Sequence, residues 1–452
     1  MDNPIPTNPF YHRTPVRDPA YFFGRRRERE QLRNLVRNGQ SVALIGPRRI
    51  GKSSLLWQLV HDLTNPTTRD GTTPDARYCV VYFSGEAWQD QPAHALYCGL
   101  WDAVTMTLRT TPSLANLAAE ADTTTELDFP TFLRELRQLT SQGVRLLFLL
   151  DEFDALSRNR YLDEFFFSSL RSLAAGPGVI FVTASTLPLL ELTYAQQSAL
   201  SSPFFNIFLP QRLGLMPDNE ALALLQGTAT LGGRALTAEQ QQWLLDLAGP
   251  HPCFLQIAGY HAWEARALGA AEDIPHLRQA IFTEAAPLWA YQWRYLSTDE
   301  QRALALLATA QPQSPSTLAQ LQQACLLRAS QARPGYLSPL LADFVRQQAI
   351  YQIIQAGPLL IDQEAQLAWL AGQALALSPQ DYRLLTLLST QAGRSLTRDE
   401  LAQQLWPDEA TAINHQDRLK TAINSLRRKL GDHGELVESA PNGGYRLRSD
   451  AA

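Results

Sequence analysis

The chain has 452 residues, 45% of them hydrophobic and 18% charged, with a formal net charge of −5. That length exceeds one ordinary hydrophobic core and points to two to four domains. The charge balance excludes bulk electrostatic attraction to nucleic acid or an anionic membrane, so any DNA contact has to come from a local basic patch.

Residues 1–20 read as an extended arm, because the prolines of MDNPIPTNPFYHRTPVRDP forbid helix and remove sheet donors. GRRREREQLRNLVRNG (24–39) places Leu32, Leu35 and Val36 on one face of a helix. SVALI (41–45) has the length of a buried strand and ends in Gly-Pro, with a new helix opening at 52–54. Further strands are predicted at CVVYF (79–83), RLLFLL (145–150), VIFVTAS (179–185) and FNIFLP (205–210). Helical patterns separate them, which predicts an α/β core with a parallel sheet covered on both faces, over residues 21–213. Residues 214–292 are helical throughout and suggest a lid. STDEQRALALLATA, STLAQLQQACLL and SPLLADFVRQQ suggest a helix-turn-helix unit over 293–357. The last unit, 358–452, opens with the strand-like pieces PLLID and AQLAWLAG. It continues with the helices PQDYRLLTLLST, RDELAQQLW and INHQDRLKTAINSLRRKL (413–430), and closes with the hairpin LVESAPNGGYRLR.

The four cysteines, Cys79, Cys98, Cys253 and Cys325, form no CxxC pair, which argues against a zinc or disulfide framework and suits a reducing cytoplasm. The sequence contains no apolar run near the roughly 18–20 residues of a membrane helix and no charged-then-apolar targeting pattern at its start. A cytoplasmic protein with no membrane partner is expected.

GPRRIGKS (46–53) fits GxxxxGK[ST] between a predicted strand and helix. Gly46 and Gly51 let the backbone turn around phosphates. Pro47, Arg48, Arg49 and Ile50 complete the loop, and the helix N-terminus through Ser53 and Ser54 adds its dipole. Lys52 is placed to reach the β- and γ-phosphates of ATP, and the Ser53 hydroxyl to ligate Mg2+. The chain's only lysines are Lys52, Lys420 and Lys429, so Lys52 stands in a protein that otherwise uses arginine. LLFLLDEFDAL (146–156) supplies the second half: Asp151 to hold Mg2+ and Glu152 to polarise the attacking water. Lys52, Asp151 and Glu152 are therefore the candidate catalytic set. Thr183 or Ser185, at the carboxyl end of the next strand, is placed to sense the γ-phosphate.

On these motifs the chain resembles the STAND and related archaeal-type AAA+ P-loop ATPases. FFGRRREREQL (22–32) resembles the hhGRxxE motif that precedes the P-loop there, which implies that Phe23, Gly24 and Arg25 lie near the base. GPHPCFLQIAGY (249–260) resembles the GGHPxxLQ signature of the lid, which implies nucleotide contacts from His251 and Pro252; Pro250 departs from the second glycine. The resemblance covers about residues 8–355, including a first winged-helix domain over 293–357 in which RPGYLSPLLADFVR resembles the wing, so that two winged-helix domains follow the lid. It implies an ATP/ADP switch and self-association in the ATP state. Typical members carry long sensor repeats or a fused effector; neither is read in this sequence, so an effector supplied as a separate protein is expected. Ser185 stands where some members carry an arginine. For an arginine finger, Arg212, Arg158 and Arg160 are the candidates.

Residues 358–448 resemble the OmpR/PhoB-type winged-helix DNA-binding domain. In its third helix Leu419, Ile423, Leu426 and Leu430 share the core face. The other side carries Asp417, Lys420, Thr421, Asn424, Ser425, Arg427 and Arg428, a polar stripe edged by cations that suits the major groove of duplex DNA. Against that, residues 362–450 hold ten Lys/Arg and twelve Asp/Glu, and Pro441-Asn442 replaces the usual wing arginine. Protein docking is the alternative, as an adaptor or scaffold. A DNA-binding regulator with a purely structural nucleotide site is another.

Overall fold

A computed structural model describes residues 7–10, 13–64, 77–118, 127–194, 204–267, 273–307, 314–328, 335–349, 353–363, 366–371, 373–407, 415–441 and 443–448. The chain divides into two units, Met1–Pro287 with Gln322–Arg328, and Leu288–Leu321 with Ala329–Ala452.

The first unit runs α1 (Arg26–Arg37), β1 (Ser41–Ile45), α2 (Lys52–Thr64), β2 (Arg77–Ser84), α3 (Ala93–Thr110), α4 (Ala115–Ala118), α5 (Phe129–Ser141), β3 (Val144–Asp151), α6 (Phe153–Ser157), α7 (Glu164–Ala174), β4 (Val179–Ser185), α8 (Leu189–Tyr194) and β5 (Phe208–Arg212). All five strands are parallel, in the order β2-β3-β4-β1-β5. Strand alternation sends Ala43, Ile45, Val81, Phe83, Phe148 and Phe181 to one apolar layer, and Val42, Leu44, Val80, Leu147, Leu149 and Val182 to the other. Both faces are covered, which is why these strands read as unbroken apolar runs. With β1 between β4 and β5, the loops after β1, β3 and β4 emerge side by side at the carboxyl edge, where open α/β sheets bind ligands.

Four helices follow: α9 (Asp218–Leu231), α10 (Ala238–Ala248), α11 (Pro252–Ala267) and α12 (Ile274–Trp293). A capping box between Thr237 and Gln240 starts α10. Arg29 joins α1 to α2 through Asp62, which is buried beneath it, with Nε 2.7 Å from Oδ2.

Next come α13 (Thr298–Leu306), α14 (Pro315–Gln323), β6 (Leu327–Arg328), β7 (Gly335–Tyr336) and α15 (Pro339–Ala349). The C-terminal part holds β8 (Ile353–Ala356), β9 (Leu359–Asp362), β10 (Leu367–Leu370), β11 (Gln373–Ala374), α16 (Pro379–Thr390), α17 (Arg398–Leu405), α18 (His415–Lys429), β12 (Val437–Ser439) and β13 (Tyr445–Leu447). β8 to β11 form an antiparallel sheet and β12–β13 a hairpin. β8 lies before residue 358 and pairs with β9 across Gly357, whose φ of +57° makes the tight reversal. Leu419, Ile423 and Leu426 of α18, with Leu430 just after it, are buried in one core with Leu384, Leu388 and Leu401. Capping boxes at Ser378 and Thr397 fix the starts of α16 and α17. Among the described residues, no helix is long and apolar enough to cross a membrane.

Candidate functional site

The phosphate loop leaves β1 at Ile45, and Gly46 N donates to Ser185 O of β4 at 3.1 Å. A Cβ on Gly46 would meet Leu213 O at 2.6 Å, and Gly51 has a φ of +101°, so these two positions require glycine. α2 begins at Lys52, which aims its helix N-terminus into the loop. Lys52 Nζ donates to Gly46 O at 2.7 Å and Pro47 O at 3.0 Å. Burial lowers its pKa to about 8, opposed by the carboxylates of Asp154 and Asp151. The ammonium is thus held on carbonyls of its own loop.

Asp151 ends β3 and is 2% exposed. Its Oδ1 accepts from Glu152 N at 2.9 Å and its Oδ2 accepts from the Tyr82 hydroxyl at 2.6 Å. Glu152 adopts a left-handed φ of +52°, and its Oε2 accepts from Ser84 Oγ at 2.6 Å. Burial raises the Glu152 pKa, opposed by the Ser84 hydrogen bond. Tyr82 and Ser84 were not singled out in the sequence. The available signal was two hydroxyl residues closing an apolar strand, and the parallel register that sets Ser84 against Asp151 gives them their role.

At the end of β4, Thr183 and Ser185 are both fully buried. Ser185 Oγ donates to Leu187 O at 2.7 Å. The hydroxyl on the cavity wall belongs to the next residue, Thr186. Thr186 donates to Asp154, from N at 2.9 Å and from Oγ1 at 2.5 Å.

The segment before α1 acts as a clasp. Phe23 packs against Gly227, where an added Cβ would come within 2.1 Å of its ring. Gly24 has a φ of +76° with Met216 close by. Arg25 is 4% exposed. Its guanidinium donates to Ile50 O at 3.1 Å and Gly214 O at 2.7 Å, and pairs with Glu28 at 2.9 Å. Its backbone N donates to Glu220 of α9 at 2.7 Å. Arg25 therefore joins the phosphate loop to the helical lid.

His251 is 2% exposed, and burial, then the Arg25 charge, lowers its pKa to about 3, so it is neutral. Its ring lies 4.7 Å from that of Phe254, and the cavity wall is formed by the neighbouring Pro252, Cys253 and Gln256 instead. The N-terminal arm also reaches the site: Val16 N donates to Ser54 Oγ at 3.0 Å, and Arg49 donates to Arg13 O at 3.2 Å.

These elements enclose a cavity of about 490 Å³, lined by residues 48–54, by Asp151, Glu152 and Asp154, and by Phe23, Arg25, Pro252 and Gln256. Its size and mixed lining suit a small-molecule ligand. Gly24, Gly46, Pro47, Ser185 and His251, expected from the sequence to touch the nucleotide, are not among its lining residues. Ser53 and Asp151 offer hard oxygen donors from two sides, and no group of three or more His, Cys, Asp or Glu suited to a metal occurs among the described residues. That donor set fits Mg2+, which is bound by few protein groups and completes its shell with phosphate oxygens and water. Of the arginine-finger candidates, Arg158 lines this same cavity, Arg160 lies 4.9 Å from the Tyr161 ring, and Arg212 bonds Gln323 at 3.3 Å.

In α18, Asp417, Lys420, Thr421, Asn424 and Arg428 are exposed, and Ser425 and Arg427 half-buried. Arg427 is turned to the hairpin, donating to Val437 O at 2.9 and 2.7 Å. Thr421 Oγ1 donates back to Asp417 O at 2.9 Å. Asp417, Lys420, Thr421, Asn424 and Arg428 thus form the outward face. Residues 413–414 and Asn442 lie outside the described residues.

Residues 13–186 match the family model described as Novel STAND NTPase 1, residues 114–313 match Novel STAND NTPase 2, and residues 372–447 match Transcriptional regulatory protein, C terminal. The chain is 32% identical over 96 residues to the transcriptional regulatory protein QseB of Escherichia coli O157:H7, covering 21% of the chain and 41% of QseB. It is 31% identical over 106 residues to the response regulator protein PmrA of Pseudomonas aeruginosa, covering 23% of the chain and 45% of PmrA. The chain therefore spans less than half the length of these curated relatives. Among solved structures, a Walker-type ATPase of Pyrococcus abyssi aligns with 74% of this chain and 99% of its own at a TM-score of 0.51 and 16% identity, a likeness of fold.

Proposed function

From a chain that joins STAND NTPase domains to a C-terminal domain of the OmpR/PhoB regulatory type, we propose a nucleotide-controlled transcription regulator, working in the cytoplasm, whose ATP site governs the DNA contacts of α18. The observation that carries this reading is the convergence of Lys52, Asp151 and Glu152 with the lid residues Pro252 and Gln256 on one cavity. A nucleotide there touches both the sheet domain and the lid, so ATP and ADP make different contacts, as a switch requires.

In this reading Lys52 leaves the carbonyls of Gly46 and Pro47 for the β- and γ-phosphates, and the loop amides at the start of α2 hold the rest of the chain of phosphates. Ser53 and Asp151 would hold Mg2+, which when bound would neutralise charge on the phosphates. Glu152, steadied by Ser84, accepts the proton of the attacking water. Hydrolysis is slow or depends on assembly, since no arginine finger from a neighbouring copy is assigned. Self-association in the ATP state and a separately encoded effector complete the proposal. The segment Gln322–Arg328 offers a route for the signal: it clusters with the ATPase unit, with Cys325 in the same core as Ile50 and Leu55, and the chain on both sides of it belongs to the second unit.

On the DNA side, Lys420→Ala and Arg428→Ala are each expected to weaken duplex binding by similar factors for all sequences. Each should also lower the salt slope by about 1. Asn424→Ala is expected instead to relax specificity at one position, by about 1–3 kcal/mol. Fluorescence anisotropy over a salt series separates the two behaviours. The test of the switch is the duplex dissociation constant with Mg·ATP and with Mg·ADP, where a difference of tenfold or more is expected and equal constants contradict it.

The excess of twelve acidic over ten basic residues in 362–450 favours a second reading, in which the winged helices dock on protein as a scaffold. Absence of any shift with random duplexes at low salt would support it.

A further inference from the structure

Between the N-terminal arm and Asp151 lies a continuous stack of side chains that the nucleotide reading does not use. Arg17 of the arm has its guanidinium carbon 4.9 Å from the ring centre of Trp57. Trp57 lies on α2, the helix that opens with Lys52 and Ser53, and stacks on Tyr82 with ring centres 4.6 Å apart and planes inclined by 27°. Tyr82 in turn donates its hydroxyl to Asp151 Oδ2 at 2.6 Å. Strand alternation in β2 makes this possible: Val81 and Phe83 enter one apolar layer, and Tyr82 packs against the other, on the side of α2.

We propose that Tyr82 is a positioning residue for the magnesium-binding carboxylate, and that the arm sets Tyr82 through Arg17 and Trp57. The proposal rests on the nucleotide reading above. A carboxylate that shares an ion with Ser53 has to present one lone pair in a fixed direction. Asp151 is free to rotate about its own side chain unless both oxygens are engaged. Glu152 N engages Oδ1, and the Tyr82 hydroxyl engages Oδ2 through a charge-assisted bond. Each oxygen keeps further lone pairs, so the ion is oriented and not displaced. Such outer partners typically change metal affinity by about 10–100-fold. The aromatic pair also links α2, which carries Ser53, to the strand face that holds Asp151, so the two donors are held as one body. Arg17 and Trp57 extend that body to the arm, whose Val16 N already donates to Ser54.

The test is the binding of a fluorescent ATP analogue to the full chain, with Mg2+ and with EDTA, read as the ratio of the two dissociation constants. Tyr82→Phe keeps the stack and removes the hydroxyl alone. It is expected to lower the magnesium ratio by about 10-fold while leaving affinity in EDTA within twofold of wild type. Trp57→Phe, which keeps a ring against Tyr82, is expected to retain most of the ratio, and Trp57→Ala to lose it as Tyr82→Phe does. Thermal melting in EDTA reports folding of each variant. A wild-type magnesium ratio in Tyr82→Phe, or an equal loss of affinity in both buffers, would overturn the inference and leave the nucleotide site standing. Wild-type chain that binds the analogue in neither buffer would overturn the site reading and this inference with it.

Discussion

Lys52→Ala is expected to weaken ATP binding by at least about 100-fold and to remove hydrolysis, with the melting temperature of the nucleotide-free chain kept or raised. The size follows from losing charge-assisted bonds to two phosphates in a desolvated loop, about 3 kcal/mol together. The direction of the stability change follows from burial. Lys52 has its pKa lowered from 10.5 to about 8, chiefly by desolvation, so the folded chain without nucleotide holds that charge at a cost. Between these values the unfolded chain binds more protons than the folded one, and the Lys52 contribution to stability rises with pH through that window. Below about pH 8 the penalty is fully present. The difference in melting temperature between wild type and Lys52→Met, followed from pH 7 to pH 10, isolates this term. Nucleotide phosphates restore the charged form, so ATP affinity is expected to be level below about pH 8 and to fall above it, by up to about tenfold per pH unit. Calorimetry at pH 9 in buffers of different ionisation enthalpy reads the accompanying proton uptake.

Glu152→Gln is expected to retain ATP and to lower its hydrolysis by about 10²–10⁴-fold, the usual contribution of a positioned base. The amide preserves the shape of the side chain and its contact with Ser84, so binding and folding are not disturbed, and the variant should hold the chain in its ATP state. The Glu152 carboxyl has its pKa raised, by burial first, with the Ser84 hydrogen bond opposing. A base with a raised pKa takes up a proton at higher pH than an ordinary carboxylate, so hydrolysis is expected to fall early as the solution is acidified. Ser84→Ala removes the bond that favours the charged form. Its acidic limb is expected to move to higher pH still, which a pH–rate profile under saturating ATP checks.

The sequence exposed what local backbone chemistry dictates. A parallel strand buried on both faces has to be apolar along its length, so β1, β3 and β4 stand out as runs. A loop that wraps phosphates has to place glycine at 46 and 51 and lysine at 52, so the site's floor is visible in eight residues. In α18 the core face and the outward face separate by helical spacing alone. What stayed hidden depends on register and long-range contact. Nothing near Tyr82 or Ser84 indicates that they face Asp151 and Glu152, because that follows from the pairing of strands more than 60 residues apart, with Tyr82 and Asp151 separated by 69 positions. The motif at 22–32 singles out Arg25, but not its partners Gly214 and Glu220, which come from the lid. The wall hydroxyl at Thr186, next to the expected Ser185, reflects the turn after β4, which sends Ser185 Oγ back to Leu187 O. Arg427 sits among cations on a helical wheel, and only the fold turns it onto the carbonyl of Val437.

Of all the measurements, equilibrium titration of the folded full-length chain with ATP, in Mg2+ and in EDTA, bears most directly on the nucleotide site. Saturable uptake of one ATP per chain, tightened by magnesium and lost in Lys52→Ala, is the predicted result. A folded chain that takes up no ATP in either buffer would contradict it.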